Sequence, residues 1–281
     1  MQKPQDNYVK AGEVNTRFWS AGDKGNPVIL LHPGLSSVEN WVCNIDALAQ
    51  NHRVFAIDML GFAYTGLPNP PYSLDKAAQH VSDFMESQGI KKASIIGHCG
   101  GGVVSMYFAF QYPEKLDKLV LVDSWGFGKE APFITKLGTL PIIGELIMKP
   151  NRKSAEMIMK MCVYDQSVLT DEMVDDFYQC MSLPGGQKAY MSVFRAIGNF
   201  GGPRTEILQF IRDKLPAITS PTLIIWGKQD RSLPVAHADV AKERIPNSQL
   251  HIFDLCGHMP PTEYPEKFNN LVQEFLSKVT E

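Results

Sequence analysis

The sequence predicts an α/β fold, a mostly parallel sheet of eight strands with helices on both faces and one all-helical insertion. Three observations predict it. Short, purely apolar runs recur along the chain and alternate with amphipathic stretches. From about Phe127 to about Pro216 no such run appears. Beyond that gap the alternation resumes.

Taken in order, Tyr8–Val14 and Thr16–Ser20 read as two antiparallel strands joined by a tight turn. Pro27–Leu31, Val54–Ile57, Ala93–Ile96, Leu119–Val122 and Thr222–Trp226 are apolar runs expected of strands buried on both faces. Gln249–Phe253 is a more alternating last strand. Between them Ser73–Gln88 has a Ser73 N-cap and stops at Gly89, Gly100–Phe110 is closed by Tyr112-Pro113, and Glu263–Lys278 is the final helix. The domain reading follows: residues 1–127 and 217–281 form the core, and 128–216 a helical cap over the carboxyl edge of the sheet. Seven of the twelve Met fall in that cap. Met adapts to irregular apolar surfaces, so they suit a pocket roof, although for any one of them an ordinary helix core is the commoner role.

Composition bounds the rest. Of 281 residues 44% are hydrophobic and 20% charged, the balance of a globular protein. A net charge of −3 with no Lys/Arg run gives no footprint for a nucleic-acid partner. The polar segment MQKPQDNYVK has no signal-peptide pattern and no apolar run reaches membrane-spanning length, so no membrane partner is expected. Five scattered cysteines speak for a reducing, cytoplasmic setting over a disulfide framework. Cys256-x-His258 has no second pair at zinc spacing, so no metal site is read, and Gly97–Gly102 lacks dinucleotide-fingerprint spacing, so no cofactor is implied. The expected partner is a small-molecule substrate; a homo-oligomer stays open.

The chemistry centres on Gly97-His98-Cys99-Gly100-Gly101. A bare Gly-x-Cys-x-Gly arises by chance in roughly a few chains per hundred, so its place decides its meaning. It lies between a buried strand and a helix, where a sharp turn aims the middle side chain into the cleft and needs small neighbours two residues away. The free N–H groups at the helix start favour negative charge on sulfur. Cys99 is therefore the candidate nucleophile. A nucleophile of this kind needs a base and a group to orient it. Asp230 follows the strand Thr222–Trp226 and His258 follows the last strand, both on loops at the carboxyl edge where ligands gather in open sheets. Asp123, at the end of Leu119–Val122, is the competing acid. The remaining His52, His80, His237 and His251 read as structural. Oxyanion donors are expected from Gly100 and from Gly34 or Leu35 in the loop His32-Pro33-Gly34-Leu35; Pro33 has no N–H.

These residues carry a family pattern. The His32 loop, Asp58-x-x-Gly61-Phe62, the elbow, Tyr112-Pro113-Glu114, Trp226-Gly227-x-x-Asp230 and Gly257-His258 resemble the α/β-hydrolase superfamily over nearly the whole chain. Within it, the tail Leu250–His258 with Glu263 and Phe268 looks like that of the carbon–carbon bond hydrolases of aromatic ring-cleavage products, and of related esterases. The resemblance implies a Cys99-His258-Asp230 triad in the order nucleophile, acid, histidine. The chain also departs from the pattern. Cys99 replaces the usual Ser, as in the uncapped dienelactone hydrolases. Pro33 and Ala63 stand where glycine is usual, and His98 and Met259 where the ring-cleavage hydrolases favour Asn and Trp.

The functional expectation is hydrolysis of a small carboxylic ester or similar activated carbonyl through a covalent acyl-enzyme. The alternatives are carbon–carbon bond hydrolysis, with Arg195 as the cation for substrate carboxylates, and a hydrolase, native or with its serine exchanged for cysteine, that is acylated but turns over poorly. His98, Met259, Arg195 and Trp125 are the expected substrate contacts.

Overall fold

The computed structural model describes residues 3–66, 71–130 and 133–278, with the side chains of 133–135 left out of account. The first two residues of the polar amino-terminal segment and 131–132 of the insertion lie outside the described residues. Among the described residues, ten strands and twelve α-helices follow in chain order. The strands are β1 Asn7–Ala11, β2 Val14–Ala21, β3 Pro27–Leu31, β4 Arg53–Ile57, β5 Ala93–His98, β6 Leu116–Val122, β7 Gly198–Asn199, β8 Gly202–Pro203, β9 Thr222–Gly227 and β10 Ser248–Phe253. The helices are α1 Ile45–Ala49, α2 Leu74–Ser87, α3 Gly100–Gln111, α4 Phe133–Gly138, α5 Ile143–Ile147, α6 Arg152–Cys162, α7 Asp171–Ser182, α8 Gly186–Ile197, α9 Thr205–Lys214, α10 Ala236–Arg244, α11 Pro260–Glu263 and α12 Pro265–Ser277.

Eight strands form one sheet in the order β1-β2-β4-β3-β5-β6-β9-β10. The pairs β1–β2 and β2–β4 are antiparallel; all others are parallel. Side chains alternate across each strand. Ile29, Leu31, Ile95 and Leu121 enter one core with α2, α3 and α10. Val28, Leu30, Ile96 and Val120 enter the other with α1 and α12. That two-sided burial is why these strands are continuous apolar runs.

Two boundaries differ from the sequence reading. The first hairpin turns at Gly12-Glu13, three residues before the expected place. The final helix is two helices, broken at Tyr264 (φ −133°); Pro265 disfavours the helical conformation in the residue before it. The Ser73 cap is present, its Oγ accepting the Lys76 N–H at 3.2 Å.

Between β6 and β9 lie the six helices α4–α9 and the two-residue ladder β7–β8, a short strand pair in a stretch expected to have none. Not all of it overhangs the sheet edge. On α9, Phe210 packs against Tyr107 and Phe110 of α3, with ring centroids 5.3 and 6.0 Å apart. Among the described residues no helix is long and apolar enough to cross a membrane.

Candidate active site

Register brings the site together. Leu31 pairs with Gly97, His98 with Val122, Val122 with Ile225 and Phe253 with Gly227, so β3, β5, β6, β9 and β10 end at one edge. His32, Cys99, Asp123, Asp230 and His258 all lie in the segments that leave that edge.

Cys99 is the turn between β5 and α3. Its backbone is at φ 50° and ψ −106°, a left-handed conformation rare for a side chain with a Cβ. The surrounding contacts hold it there. The Cys99 N–H donates to the Val122 carbonyl at 2.9 Å, and the Cys99 carbonyl accepts from Gly102 and from Trp125, each at 3.1 Å. A Cβ on Gly97 would lie 2.4 Å from the Gly101 carbonyl, and one on Gly101 would lie 2.3 Å from the Leu31 carbonyl. Glycine at both places is therefore what lets strand, turn and helix close together.

His258 is buried and its Nδ1–H donates to Asp230 Oδ2 at 2.6 Å. The other Asp230 oxygen accepts the N–H groups of Ser232 at 2.7 Å and Leu233 at 3.0 Å. Burial alone would raise the Asp230 carboxyl, but His258 and those backbone donors hold it below the usual range. Burial likewise works against a charged His258. The Asp230 carboxylate and the sulfur of Cys99, through charge and hydrogen bonding, nevertheless place it well above the ordinary imidazole range. Asp123 does not pair with the imidazole: its Oδ1 accepts the Gly227 N–H at 2.9 Å. The competing acid is beside the pair and not in it.

On the oxyanion side, Leu35 takes φ 64° and the Gly34 nitrogen approaches Gly100, 3.1 Å from where a Cβ would sit. Buried His32 sets this loop. Its Nδ1–H donates to the Pro33 carbonyl at 2.7 Å and its Nε2 accepts the Met59 N–H at 3.0 Å. Burial pushes its pKa down to about 4, so the ring stays neutral.

Above these groups is a cavity of about 540 Å³, a size that suits a small organic ligand. Cys99, Gly100, Gly34, Leu35, Trp125 and Met259 line it. So do Met148, Met157, Met159, Met161 and Met173 from the inserted segment, whereas Met181 and Met191 are buried in helix packing.

Of the expected contacts, one lies away from the cavity and one reaches it only at its border. Arg195 is not a lining residue: its guanidinium pairs with Glu145 at 2.7 Å and donates to the carbonyls of Thr139 and Leu140, each at 3.2 Å. The lysine that does line the cavity is Lys136 of α4. His98 borders the cavity but is fully buried and acts within the protein. Its Nε2–H donates to the His258 carbonyl at 2.7 Å, and Asn40 Nδ2 approaches its Nδ1 at 3.4 Å. Burial, reinforced by His258, drops its pKa to about 3. A neutral ring leaves Nδ1 as the acceptor that faces the Asn40 amide.

Glu263 belongs to the family-like tail, but the sequence reading gave it no role. It accepts the Gly257 N–H at 2.8 Å and the Tyr164 N–H at 2.7 Å. The His258 N–H donates to the Cys162 carbonyl at 2.6 Å. The loop carrying the imidazole is thus tied to the end of α6. The place of Glu263 in that tail, five positions after the histidine, does not reveal its partner.

A family model described as the α/β hydrolase fold matches residues 26–140 and 162–263. The chain belongs to that family, and it is a hydrolase. It is 34% identical to a 2-hydroxy-6-oxo-6-(2'-aminophenyl)hexa-2,4-dienoic acid hydrolase of Metapseudomonas resinovorans, over 97% of this chain and 91% of that one. A 2-hydroxy-6-oxo-2,4-heptadienoate hydrolase of Pseudomonas putida is 31% identical over 96% and 95%. Among solved structures, a serine hydrolase involved in carbazole degradation superposes with TM-score 0.84 at 30% identity, over 98% of this α/β hydrolase and 99% of that chain. A meta-cleavage product hydrolase from Pseudomonas fluorescens IP01 gives 0.81 at 30% over 96% of each.

Proposed function

We propose that this α/β hydrolase cleaves small, largely apolar acyl compounds by nucleophilic attack of Cys99, with His258 as base and Asp230 as its orienting acid. The observation that carries the reading is the strained turn that sets Cys99 against the His258–Asp230 pair at the floor of an apolar cavity. Because Asp230 occupies Nδ1, the Nε2 of His258 is the nitrogen that takes the Cys99 proton. The thiolate attacks the carbonyl carbon, and the oxyanion is met by the N–H groups of Gly100 and of Gly34 or Leu35. Collapse expels the leaving group, protonated by His258, and leaves a thioester. Water, deprotonated by His258, then releases the acid and returns Cys99 as the thiol. A thiolate is itself a good leaving group, so esters of acidic alcohols turn over faster than alkyl esters or amides. The segment 128–216 serves as the lid that closes the cavity, and the five free thiols accord with a reducing, cytoplasmic setting.

The test is intact-protein mass after mixing with an activated acyl ester. A gain equal to the acyl group, absent in Cys99→Ala, is expected. Unchanged turnover in Cys99→Ala would end the proposal.

A second reading is cleavage of the carbon–carbon bond beside the keto group of a 2-hydroxy-6-oxo-dienoate, the type of compound that the relatives' names describe. The observation favouring it is Lys136, an ammonium in a lining that is mostly apolar but also holds the carboxyls of Glu39 and Asp176, available to a substrate carboxylate. Release of two acids from such a dienoate, read by loss of its chromophore, distinguishes it from simple esterase activity.

A further inference from the structure

Asp123 directly follows β6 in a left-handed conformation (φ 39°), and its side chain is fully buried. Oδ1 accepts the Gly227 N–H, while Oδ2 has no donor facing it. One ligand atom each of Asp123, Asp230 and His258 lies within 4.8 Å of the other two. Two carboxylates this close and this far from water do not both stay ionised. The surroundings decide which one is charged. Asp230 has three N–H donors, from Ser232, Leu233 and His258. Asp123 has one. An ionised Asp123 would leave a buried, uncompensated oxygen aimed at another carboxylate; a protonated one has a hydrogen to give it.

We infer that Asp123 is held as the neutral acid and donates through Oδ2 to the Asp230 carboxylate, making it the positioning residue behind the His258–Asp230 pair. Burial and the neighbouring Asp230 charge push the Asp123 carboxyl well above the usual carboxylate range, in agreement. The other titratable groups around it are His258 and Cys256 on the loop after β10, with the Glu263 carboxylate behind Cys256. Cys99 and His98 lie against His258. The donated hydrogen bond does two things. It fixes the second carboxylate so that Asp230 Oδ2 points at Nδ1. It also spreads the Asp230 charge, which makes His258 less basic and keeps more of it in the proton-accepting form.

This inference rests on the triad proposed for Cys99, so its test has one arm that needs no turnover. Infrared spectra of the full-length protein labelled at Asp carboxyls are compared between wild type and Asp123→Asn. The expected difference is loss of a protonated-carboxyl stretch that persists in wild type at pH 8. Loss of an ionised carboxylate band instead would overturn the inference, whether or not Cys99 is the nucleophile. The second arm is the pH profile of kcat/KM. Asp123→Ala should lower kcat about tenfold, leave KM little changed, and move the acid limb to higher pH. Asp123→Asn, which keeps both the acceptor for Gly227 and a donor for Asp230, should rescue both effects. An acid limb that moves to lower pH in Asp123→Asn means that a negative charge was removed, and would also overturn it.

Discussion

Two buried charge clusters sit at opposite ends of this sheet edge, and they are built to different ends. Around Arg17, on β2, three carboxylates share one guanidinium: Glu39 at 2.5 Å, Asp6 at 2.7 Å and Asp58 at 3.6 Å. Burial pulls Arg17 down, but those acids hold it above even the usual guanidinium range. The guanidinium keeps its proton, while burial raises the Asp58 carboxyl beside it to about 7. The cluster around His258 also has more carboxyl groups than cations, but its cation is an imidazole that can lose its charge. The cation is permanent in one place, and in the other it is a group that can release its proton. The first arrangement holds β2 against the Glu39 segment; the second is suited to passing a proton to and from Cys99.

Substitutions that break one cluster should leave the other's property intact. The largest effect is expected from Cys99→Ala, which should cut turnover of activated esters roughly 10⁴-fold or more while leaving the denaturation midpoint close to wild type. Arg17→Met should do the reverse. It leaves buried carboxylates without their cation and costs about 3–5 kcal/mol of folding stability, read by urea titration. Its surviving folded fraction should react with an acylating ester at the wild-type rate.

The pH dependence sharpens the contrast. Folded His258 holds its proton more tightly than the unfolded residue, so its contribution to stability is complete below about pH 6.5 and fades as pH rises through the higher folded value. Asp230 is depressed, so its share is present above about pH 3.9 and fades on acidification. His258→Ala should therefore flatten the decline of the urea midpoint above about pH 6.5. Arg17→Met should instead lower the curve and steepen its decline just above neutrality, because Asp58, already raised to about 7 by burial, loses the cation that lowers it. The smallest effect is expected from Lys136→Met. It should raise KM roughly tenfold for substrates bearing a free carboxylate and leave neutral esters unchanged.

Much of this was readable in order along the chain. The strands declare themselves as apolar runs because the sheet is covered on both faces. The residues after their ends then mark Cys99, Asp123, Asp230 and His258 as neighbours. The elbow is legible because its requirement is local: Gly97 and Gly101 must be small whatever surrounds them. Arg195 was misread because a cation's partner is not encoded beside it; Glu145, fifty positions earlier, takes the guanidinium. His98 borders the cavity as its place beside the elbow implies, but sequence does not reveal that its ring holds the His258 backbone. Glu263 appeared to begin a helix, and instead joins the His258 loop to α6.

By itself, then, the sequence determined the sheet, the turn at Cys99 and the placing of Cys99, Asp230 and His258 after strand ends, because these depend on backbone geometry and periodic burial within a few residues. Only the tertiary structure decided which carboxylate serves His258, which lysine reaches the cavity, and how Asp123 meets Asp230. Each of these depends on distances between segments far apart in the chain. A proton's place between two buried acids is set by the number of donors each one faces, and that number exists only once the chain has folded.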